Sequence, residues 1–140
     1  MRDLLRHEPQ VHYAQVRPMR NVHLTHPVYP MTMDCSESVT MLCKWAGLQD
    51  PNGLKYNGSG YTGTLLDHLP HYYNPAHANV GALVVFGPGT GHHVAMVIEP
   101  DARNPLLWSH GQERGPIQVR LHDEAQYQPP PVTFLSIAKL

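Results

Sequence analysis

Residues 34–37 read Asp-Cys-Ser-Glu and begin the segment that decides the fold, a predicted helix over 35–46 (CSESVTMLCKWA). Asp34 is a residue type that caps helix N-termini well, and Glu37 follows it at the spacing of a capping box. Apolar residues then recur at helical spacing along one side of the segment. We therefore expect Cys35 at the first helical position, with the rest of the helix packed on a core.

Strands dominate the second half of the sequence. Five segments have the apolar character of strands and are separated by short connections that carry Gly, Pro, Asn or Asp: 81–86, 93–98, 106–109, 117–121 and 132–137. Such short connections favour antiparallel pairing. Shorter helices are predicted over 2–8 and 64–69. Together these segments predict an α+β fold, in which N-terminal helices pack on a roughly five-stranded antiparallel sheet.

The length of 140 residues is typical of one domain with a substantial core. We interpret 1–140 as a single domain, with an extended, proline-punctuated lead-in at 1–33 and a core at 34–140. The net charge of -1 gives no electrostatic reason to expect a nucleic-acid partner. No apolar run has transmembrane length, and the N-terminus lacks the apolar centre of a secretory signal. We therefore predict no transmembrane segment and synthesis in a cytoplasm without an export signal.

Cys35 and His93 provide the two groups that a thiol hydrolase needs. Backbone N–H groups and the dipole at a helix N-terminus favour a thiolate, and a nearby imidazolium favours it further. The polar neighbours of Cys35 predict an exposed sulfur with a lowered pKa, whereas Cys43 belongs to the apolar stripe and is expected in the core. The alternative is that Cys35 is also a buried, unreactive thiol. The two cysteines lie too far apart along one helix for a disulfide.

His93 opens the predicted strand at 93–98. Because side chains alternate along a strand, His92 and His93 cannot both face Cys35. His93 shares its face with Ala95, whose small side chain leaves space beside a packed helix end. We therefore expect His93 to be the general base, a role that histidine fills more often than other residues. The alternative is a core histidine with satisfied hydrogen bonds.

The 11 histidines of the chain raise the alternative of a metal site. Two pairs have a spacing of three residues, His23 with His26 and His68 with His71. However, the sequence contains no His-Glu-x-x-His pattern, and its two cysteines both lie on the same predicted helix. We therefore predict no metal and no cofactor, and a zinc hydrolase is the least favoured alternative.

Three segments carry a family resemblance: Asp34-Cys35-Ser36, the strand 80–86 (VGALVVF) and His93-Val94. They resemble the NlpC-type cell-wall peptidases, a papain-like family that hydrolyses amide bonds in peptidoglycan. The resemblance covers roughly residues 28–122. The lead-in motifs Val-His-Tyr at 11–13 and Arg-Pro at 17–18 also resemble bacteriophage lysins of this group. The chain departs from the family at Glu37, where glycine is usual, and at Ala82, where aspartate is usual. An inactive descendant therefore remains an alternative.

The resemblance implies a papain-like fold with a catalytic trio. By position in the motifs, Cys35 is the nucleophile, His93 is the base, and His110 orients the base. Ser109 would take the orienting role if the strand register shifted by one residue. Gln112 is a third candidate.

Five further residues are candidates for the site. Asp34 and Ser36 are expected to support the thiolate and the oxyanion. Tyr29, Tyr61 and Trp108 are candidates for the wall of a substrate groove, because peptide substrates need apolar walls with a few polar contacts. Ordinary packing is the alternative for these aromatic residues.

The function that the resemblance implies is cysteine-dependent cleavage of murein stem peptides through a thioester, by a protein of phage origin. An N-acetylmuramoyl-L-alanine-type amidase with the same trio is one alternative. A phage virion or tail component that keeps the fold is another. The expected partner is bacterial peptidoglycan, or other virion or tail proteins in the last case. The expected location is the bacterial host cytoplasm followed by action on the cell wall, or the virion.

Overall fold

The structure is a computed structural model that describes residues 1–111 and 115–140, and its centre is a six-stranded antiparallel sheet. In chain order the elements are α1 (Arg2–Arg6), β1 (Val11–His12), β2 (Met31–Thr32), α2 (Cys35–Trp45), α3 (Thr62–His68), β3 (His71–Tyr72), β4 (Leu83–Phe86), β5 (His93–Glu99), β6 (Leu106–Ser109), β7 (Ile117–Arg120), α4 (Leu121–Ala125) and β8 (Val132–Leu135). The strand order in the main sheet is β3-β8-β4-β5-β6-β7, and β1 and β2 form a separate parallel pair.

The α+β class and the antiparallel sheet are confirmed, but the expected number of strands was too low. The sixth strand, β3, has only two residues and pairs with β8 at the edge of the sheet, so it is too short to give an apolar pattern. The predicted strand at 117–121 is also one residue too long, because Leu121 begins α4. This helix carries Asp123 and Glu124 in its first turn, where acidic side chains are favourable.

The two faces of the main sheet pack against different parts of the chain. Val94 and Met96 of β5 belong to the core cluster that contains α2. Ala95 and Val97 belong to a second cluster on the opposite face, which includes Leu121 of α4. By alternation His93 lies on this second face. The expectation that Ala95 leaves space for the helix end was therefore wrong, because α2 packs on the Val94 face.

Glycines shape the turn that leads into β5. Gly87 and Gly91 both have positive φ, at 105° and 82°, a region that side chains with a Cβ rarely adopt. A Cβ on Gly87 would also lie 2.8 Å from the Cβ of His92. Both glycines therefore permit the close return of the chain that places His93 at the start of β5, opposite Phe86 of β4.

The lead-in is attached to the first turn of α2. The carboxylate of Asp34 accepts a hydrogen bond from the Glu37 backbone N–H at 2.8 Å, as the capping pattern predicts. Glu37 is buried, and its Oε2 accepts hydrogen bonds from the backbone and side-chain nitrogens of Asn21. Asn21 also donates to the carbonyl of Thr32.

Among the described residues, no helix is long and apolar enough to cross a membrane.

Candidate active site

Cys35 is the first residue of α2, and its thiol is almost completely buried, with the residue 5% exposed. Burial is the largest cause that raises the pKa of this thiol, and the negative charge of Asp34 raises it further. Backbone N–H groups of Val94, Ser36 and Cys35 itself act in the opposite direction. The sulfur therefore lies among three backbone donors but is a neutral thiol at neutral pH.

The expectation of an exposed, low-pKa sulfur at Cys35 was wrong. Its polar neighbours occur where predicted, but Cys35 packs in the same buried cluster as Cys43 and Val94. Both cysteines are free thiols. Burial also raises the pKa of Cys43, to about 12, with a smaller contribution from the charge of Asp50.

His93 is the first residue of β5, is 5% exposed, and is hydrogen-bonded to a serine. Its Nε2 lies 2.9 Å from Oγ of Ser109, the last residue of β6. Burial lowers the pKa of His93 to about 4, and the charges of His92 and His110 contribute in the same direction. The imidazole is therefore neutral at pH 7, which is the protonation state that a general base requires.

The thiol of Cys35 lies beside the start of β5, close to the N–H of Val94. Val94 follows His93 directly, so the nucleophile and base candidates lie at the same end of β5, although the side chain of His93 points to the face of the sheet opposite to α2. Nε2 of His93 is paired with Ser109, and the described residues form no hydrogen bond to its Nδ1. Among the described residues there is also no hydrogen bond between Nδ1 of His93 and the sulfur of Cys35. Apo active sites commonly have such loose geometry before substrate binds.

His110 serves a different part of the structure. Its Nε2–H donates to the backbone carbonyls of Met33, at 2.9 Å, and His12, at 3.0 Å. The ring is fully buried, and its Nδ1 has no hydrogen-bond partner among the described residues. Burial lowers the pKa of His110. The structure thus brings Ser109, and not His110, into contact with His93. His110 instead connects the end of β6 to the segment before Cys35. Gln112, the third candidate, lies outside the described residues.

Asp34 and Ser36 form a polar network with Arg17 of the lead-in. The guanidinium of Arg17 lies 2.9 Å from Oδ2 of Asp34 and donates to Oγ of Ser36 at 2.8 Å. Its Nε donates to the carbonyl of Gly60. This cation balances the carboxylate next to Cys35, a role that the Arg-Pro motif alone did not reveal. Its long sequence separation from Asp34 leaves no local signal for the pairing.

A cavity of about 540 Å³ is lined by His93 and Ser109. Residues of the lead-in, of α4 and of the segment that follows α4 complete its wall. Tyr13 and Tyr127 provide aromatic surface, and Glu124 provides a buried carboxylate. The volume is within the range of roughly 300–1,000 Å³ that is typical of ligand sites. The cavity therefore gives access to the base candidate from the second face of the sheet.

None of the three aromatic residues predicted for a groove lines this cavity. Tyr29 donates to Oδ2 of Asp3 and stacks on the ring of His7. Tyr61 is exposed and caps α3. Trp108 is fully buried on the α2 face, and its Nε1 has no partner among the described residues. Local sequence patterns do not indicate these three cavity residues, because Tyr13 directly follows a two-residue strand, Glu124 lies within the short helix α4 and Tyr127 follows that helix.

Residues 1–111 and 115–140 contain no group of three or more His, Cys, Asp or Glu side chains arranged to hold a metal ion. Comparisons with protein-family models, with curated proteins and with solved structures gave no match to the chain.

Proposed function

We propose that the protein is a papain-like cysteine peptidase of the NlpC type that cleaves an amide bond in peptidoglycan stem peptides. The observation that carries this proposal is the meeting of a helix-terminal cysteine, Cys35, with the strand that His93 opens, where Ser109 holds the imidazole. A nucleophile, a base and a residue that orients the base are the parts of such a site. Here the orienting residue is Ser109.

The neutral state of both groups defines how the nucleophile forms. In the tautomer whose Nε2–H donates to Ser109, Nδ1 of His93 carries the lone pair. When substrate binds, the thiol proton of Cys35 moves to Nδ1 as the sulfur attacks the amide carbonyl. The thiolate is therefore generated during the attack, and activation requires Nδ1 and Sγ to approach each other.

The backbone around Cys35 suits the charge that develops. In this mechanism the N–H of Cys35 binds the oxyanion, and the N–H of Val94, which lies near the sulfur, stabilises the thiolate as it forms. His93 then gives its proton to the departing amine as the C–N bond breaks, which leaves a thioester on Cys35. Water attacks the thioester with His93 again as base, and this step releases the acid and restores the thiol.

The bond between D-isoglutamate and a diamino acid is the one that the resemblance favours. An amidase that cuts the glycan-to-peptide bond would use the same groups. In either case the partner is bacterial peptidoglycan, reached from the host cytoplasm or from a phage virion.

A second candidate is a phage virion or tail component that keeps the fold without the activity. The burial of Cys35 and its raised pKa favour this candidate, because they reduce the population of the thiolate. Glu37, which is buried in the first turn of α2, is also one of the departures from the family pattern.

Digestion of purified peptidoglycan, with the products identified by mass spectrometry, tests the proposal. We expect the wild-type protein and Cys43→Ala to release the same muropeptides, whereas Cys35→Ala releases none. Both alanine variants should lose stability by roughly 1 kcal/mol, since both remove a small buried side chain. Addition of a chelator should leave the wild-type activity unchanged. Release of the same products by Cys35→Ala would reject the cysteine mechanism, and no release by the wild type would favour the structural component.

A further inference from the structure

Two Asn-Gly pairs lie in the loop between α2 and α3, Asn52-Gly53 and Asn57-Gly58. Asparagine is a thermolabile residue type, because the backbone nitrogen of the next residue can attack its side-chain amide carbon. Glycine in the next position favours this attack, since it has no Cβ and adopts a wide range of backbone angles. The two pairs are alike in sequence, so their surroundings determine which of them reacts.

Asn52 is covered and firmly held. The residue is 5% exposed. Its Nδ2 donates to Oγ1 of Thr40 at 3.0 Å and to Oδ1 of Asp50 at 2.9 Å, and its Oδ1 accepts from Oγ1 of Thr64 at 2.7 Å. The N–H of Gly53, which carries the attacking nitrogen, donates to the carbonyl of Asp50 at 2.9 Å. A reaction at Asn52 therefore requires this part of the loop to open first.

Asn57 is exposed, and its side-chain carbonyl is polarised. Its Oδ1 accepts hydrogen bonds from the backbone N–H of Ser59 at 2.9 Å and from the Ser59 hydroxyl at 2.7 Å. Two donors on this oxygen favour attack on the carbon, because the oxygen gains negative charge as the new bond forms. The N–H of Gly58 has no hydrogen-bond partner among residues 1–111 and 115–140. The attacking nitrogen is therefore free at Asn57, whereas it is engaged at Asn52.

The carbonyl of Gly58 attaches the loop to the lead-in. It accepts a hydrogen bond from the N–H of Met19 at 2.8 Å, and Met19 is 3% exposed. The two segments pack closely, since a Cβ on Gly58 would lie 3.0 Å from the Cβ of Pro18 and 3.1 Å from the nitrogen of Met19. A change in the length of the main chain at residue 57 would therefore act directly on this contact.

We propose that Asn57-Gly58 is a self-modification site whose reaction weakens the attachment of the lead-in, with Ser59 as the group that activates the amide. The nitrogen of Gly58 bonds to Cγ of Asn57, and its proton leaves with the side-chain nitrogen as ammonia, which closes a succinimide ring. Water then opens the ring. Addition of water at Cγ gives aspartate, whereas addition at the main-chain carbonyl gives isoaspartate, in which the main chain is longer by one carbon atom.

Incubation of the folded protein at neutral pH tests this assignment. Peptide mapping by mass spectrometry follows the exchange of amide for acid, relative to a sample taken at the start. Trypsin cleaves after Lys44 and Lys55 and so places Asn52 and Asn57 on different peptides. We expect Asn57 to convert at least about tenfold faster than Asn52, because several hydrogen bonds must break before Asn52 reacts. In urea this difference should disappear, since the protecting contacts are then lost.

Variants assign the effect to particular groups. Ser59→Ala removes the hydroxyl donor and should slow the conversion of Asn57 severalfold, while Asn52 keeps its rate. Asn57→Gln should abolish conversion at this position, because its amide carbon lies one bond farther along the side chain. Asn57→Asp, freshly prepared, has the new charge but a main chain of normal length.

Amide hydrogen exchange at Met19 measures the effect on the lead-in. We expect exchange to be roughly fivefold faster or more in the isoaspartyl fraction of aged protein than in fresh protein, as the loss of one hydrogen bond implies. Fresh Asn57→Asp and aged Asn57→Gln should exchange at the rate of fresh wild type. Thermal unfolding of each sample confirms that it is folded.

The absence of conversion at Asn57, or equal conversion of both asparagines in the folded protein, would overturn the site. An unchanged or faster rate in Ser59→Ala would overturn the role of Ser59. Unchanged exchange at Met19 in the isoaspartyl protein would overturn the link to the lead-in. None of these measurements uses peptidoglycan, so failure of the proposed function and failure of this site are distinguishable.

Discussion

His93 is hydrogen-bonded to Ser109 and not to His110. Nε2 of His93 lies 2.9 Å from Oγ of Ser109, whereas Nε2 of His110 donates to the carbonyls of Met33 and His12. The pleat of the sheet explains the choice. Val97 of β5 pairs with Leu107 of β6, so residues an even number of positions from each pair member share its face, as His93 and Ser109 do. Ser109 therefore lies on the same face of the sheet as His93, whereas the side chain of His110, the next residue, points to the opposite face.

Ser109→Ala should lower kcat while the protein remains folded. The substitution removes the group that fixes the tautomer and orientation of His93, but it leaves the base in place. General-base catalysis is typically worth 10²–10⁴-fold, so partial misorientation should cost roughly tenfold or more. The measurement is the initial rate of muropeptide release. Ser136→Ala changes a serine that directly follows another strand of the same sheet, and it should keep the wild-type rate. Equal rates for Ser109→Ala and Ser136→Ala would remove Ser109 from the site.

His110→Ala should act mainly on stability. The imidazole donates to two buried backbone carbonyls, and its loss leaves both without this donor and creates a small void. We expect a loss of roughly 2–4 kcal/mol in the free energy of unfolding by urea. His122→Ala, which removes an exposed histidine, should change stability by less than about 0.5 kcal/mol. A His110→Ala protein of wild-type stability but without activity would instead return His110 to the catalytic role that the family resemblance implies.

Local sequence patterns predicted the longer helices and strands, but not the shortest elements β1, β2, β3 and α4 or the environment of the site. The bounds of β6 and the start of α2 follow from local patterns, because capping and apolar spacing are local properties. The choice between Ser109 and His110 depends on the register of β6 relative to β5, because a shift of one residue exchanges the faces of the two side chains, and no local sequence pattern determines this register. The burial of Cys35 also depends on distant residues. Burial raises the pKa of Tyr13, and the thiolate form of Cys35 would raise that pKa further, because this residue of the lead-in lies near the sulfur.

Protein stability should fall as the pH decreases from about 6.5 toward 4. The pKa of His93 is about 4 in the folded protein and near 6.5 in the unfolded chain. Between these values the unfolded chain binds a proton that the folded protein does not bind, so lower pH favours unfolding; above 6.5 and below 4 this contribution is constant. Urea unfolding at pH 7 and pH 5 should differ by about 2 kcal/mol more for the wild type than for His93→Phe. Equal differences for the two proteins would mean that His93 titrates normally.

The same pKa sets the acid limit of catalysis. Because His93 must be neutral to accept the thiol proton, kcat/KM should decline below a pH of about 4 and not near 6.5. The profile is measured with a soluble stem peptide, and circular dichroism at each pH identifies the range in which the protein is folded. An acid limb near pH 6.5 in folded protein would show that His93 is solvated in the active enzyme, or that another group is the base.

Arg17 should control the reactivity of Cys35 through Asp34. The guanidinium balances the carboxylate next to the thiol, and the charge of Asp34 raises the pKa of that thiol. Removal of the cation in Arg17→Gln should therefore slow alkylation of Cys35 by iodoacetamide at pH 8 by roughly three- to tenfold. Peptide mapping by mass spectrometry distinguishes Cys35 from Cys43. In the wild type, the alkylation of Cys35 should already be slower than that of cysteine in a denatured chain, because the thiol is buried.

A double-mutant cycle separates this charge effect from a general loosening of the lead-in. In an Asp34→Asn background the carboxylate is gone, so Arg17→Gln should no longer slow the reaction. Arg20→Gln removes an exposed arginine of the same lead-in and should leave the rate unchanged in either background. If Arg17→Gln accelerates alkylation instead, its main role is to keep the lead-in closed over the thiol, since opening exposes the sulfur. The same acceleration in both backgrounds would then show that exposure, and not the charge of Asp34, limits the reactivity of Cys35.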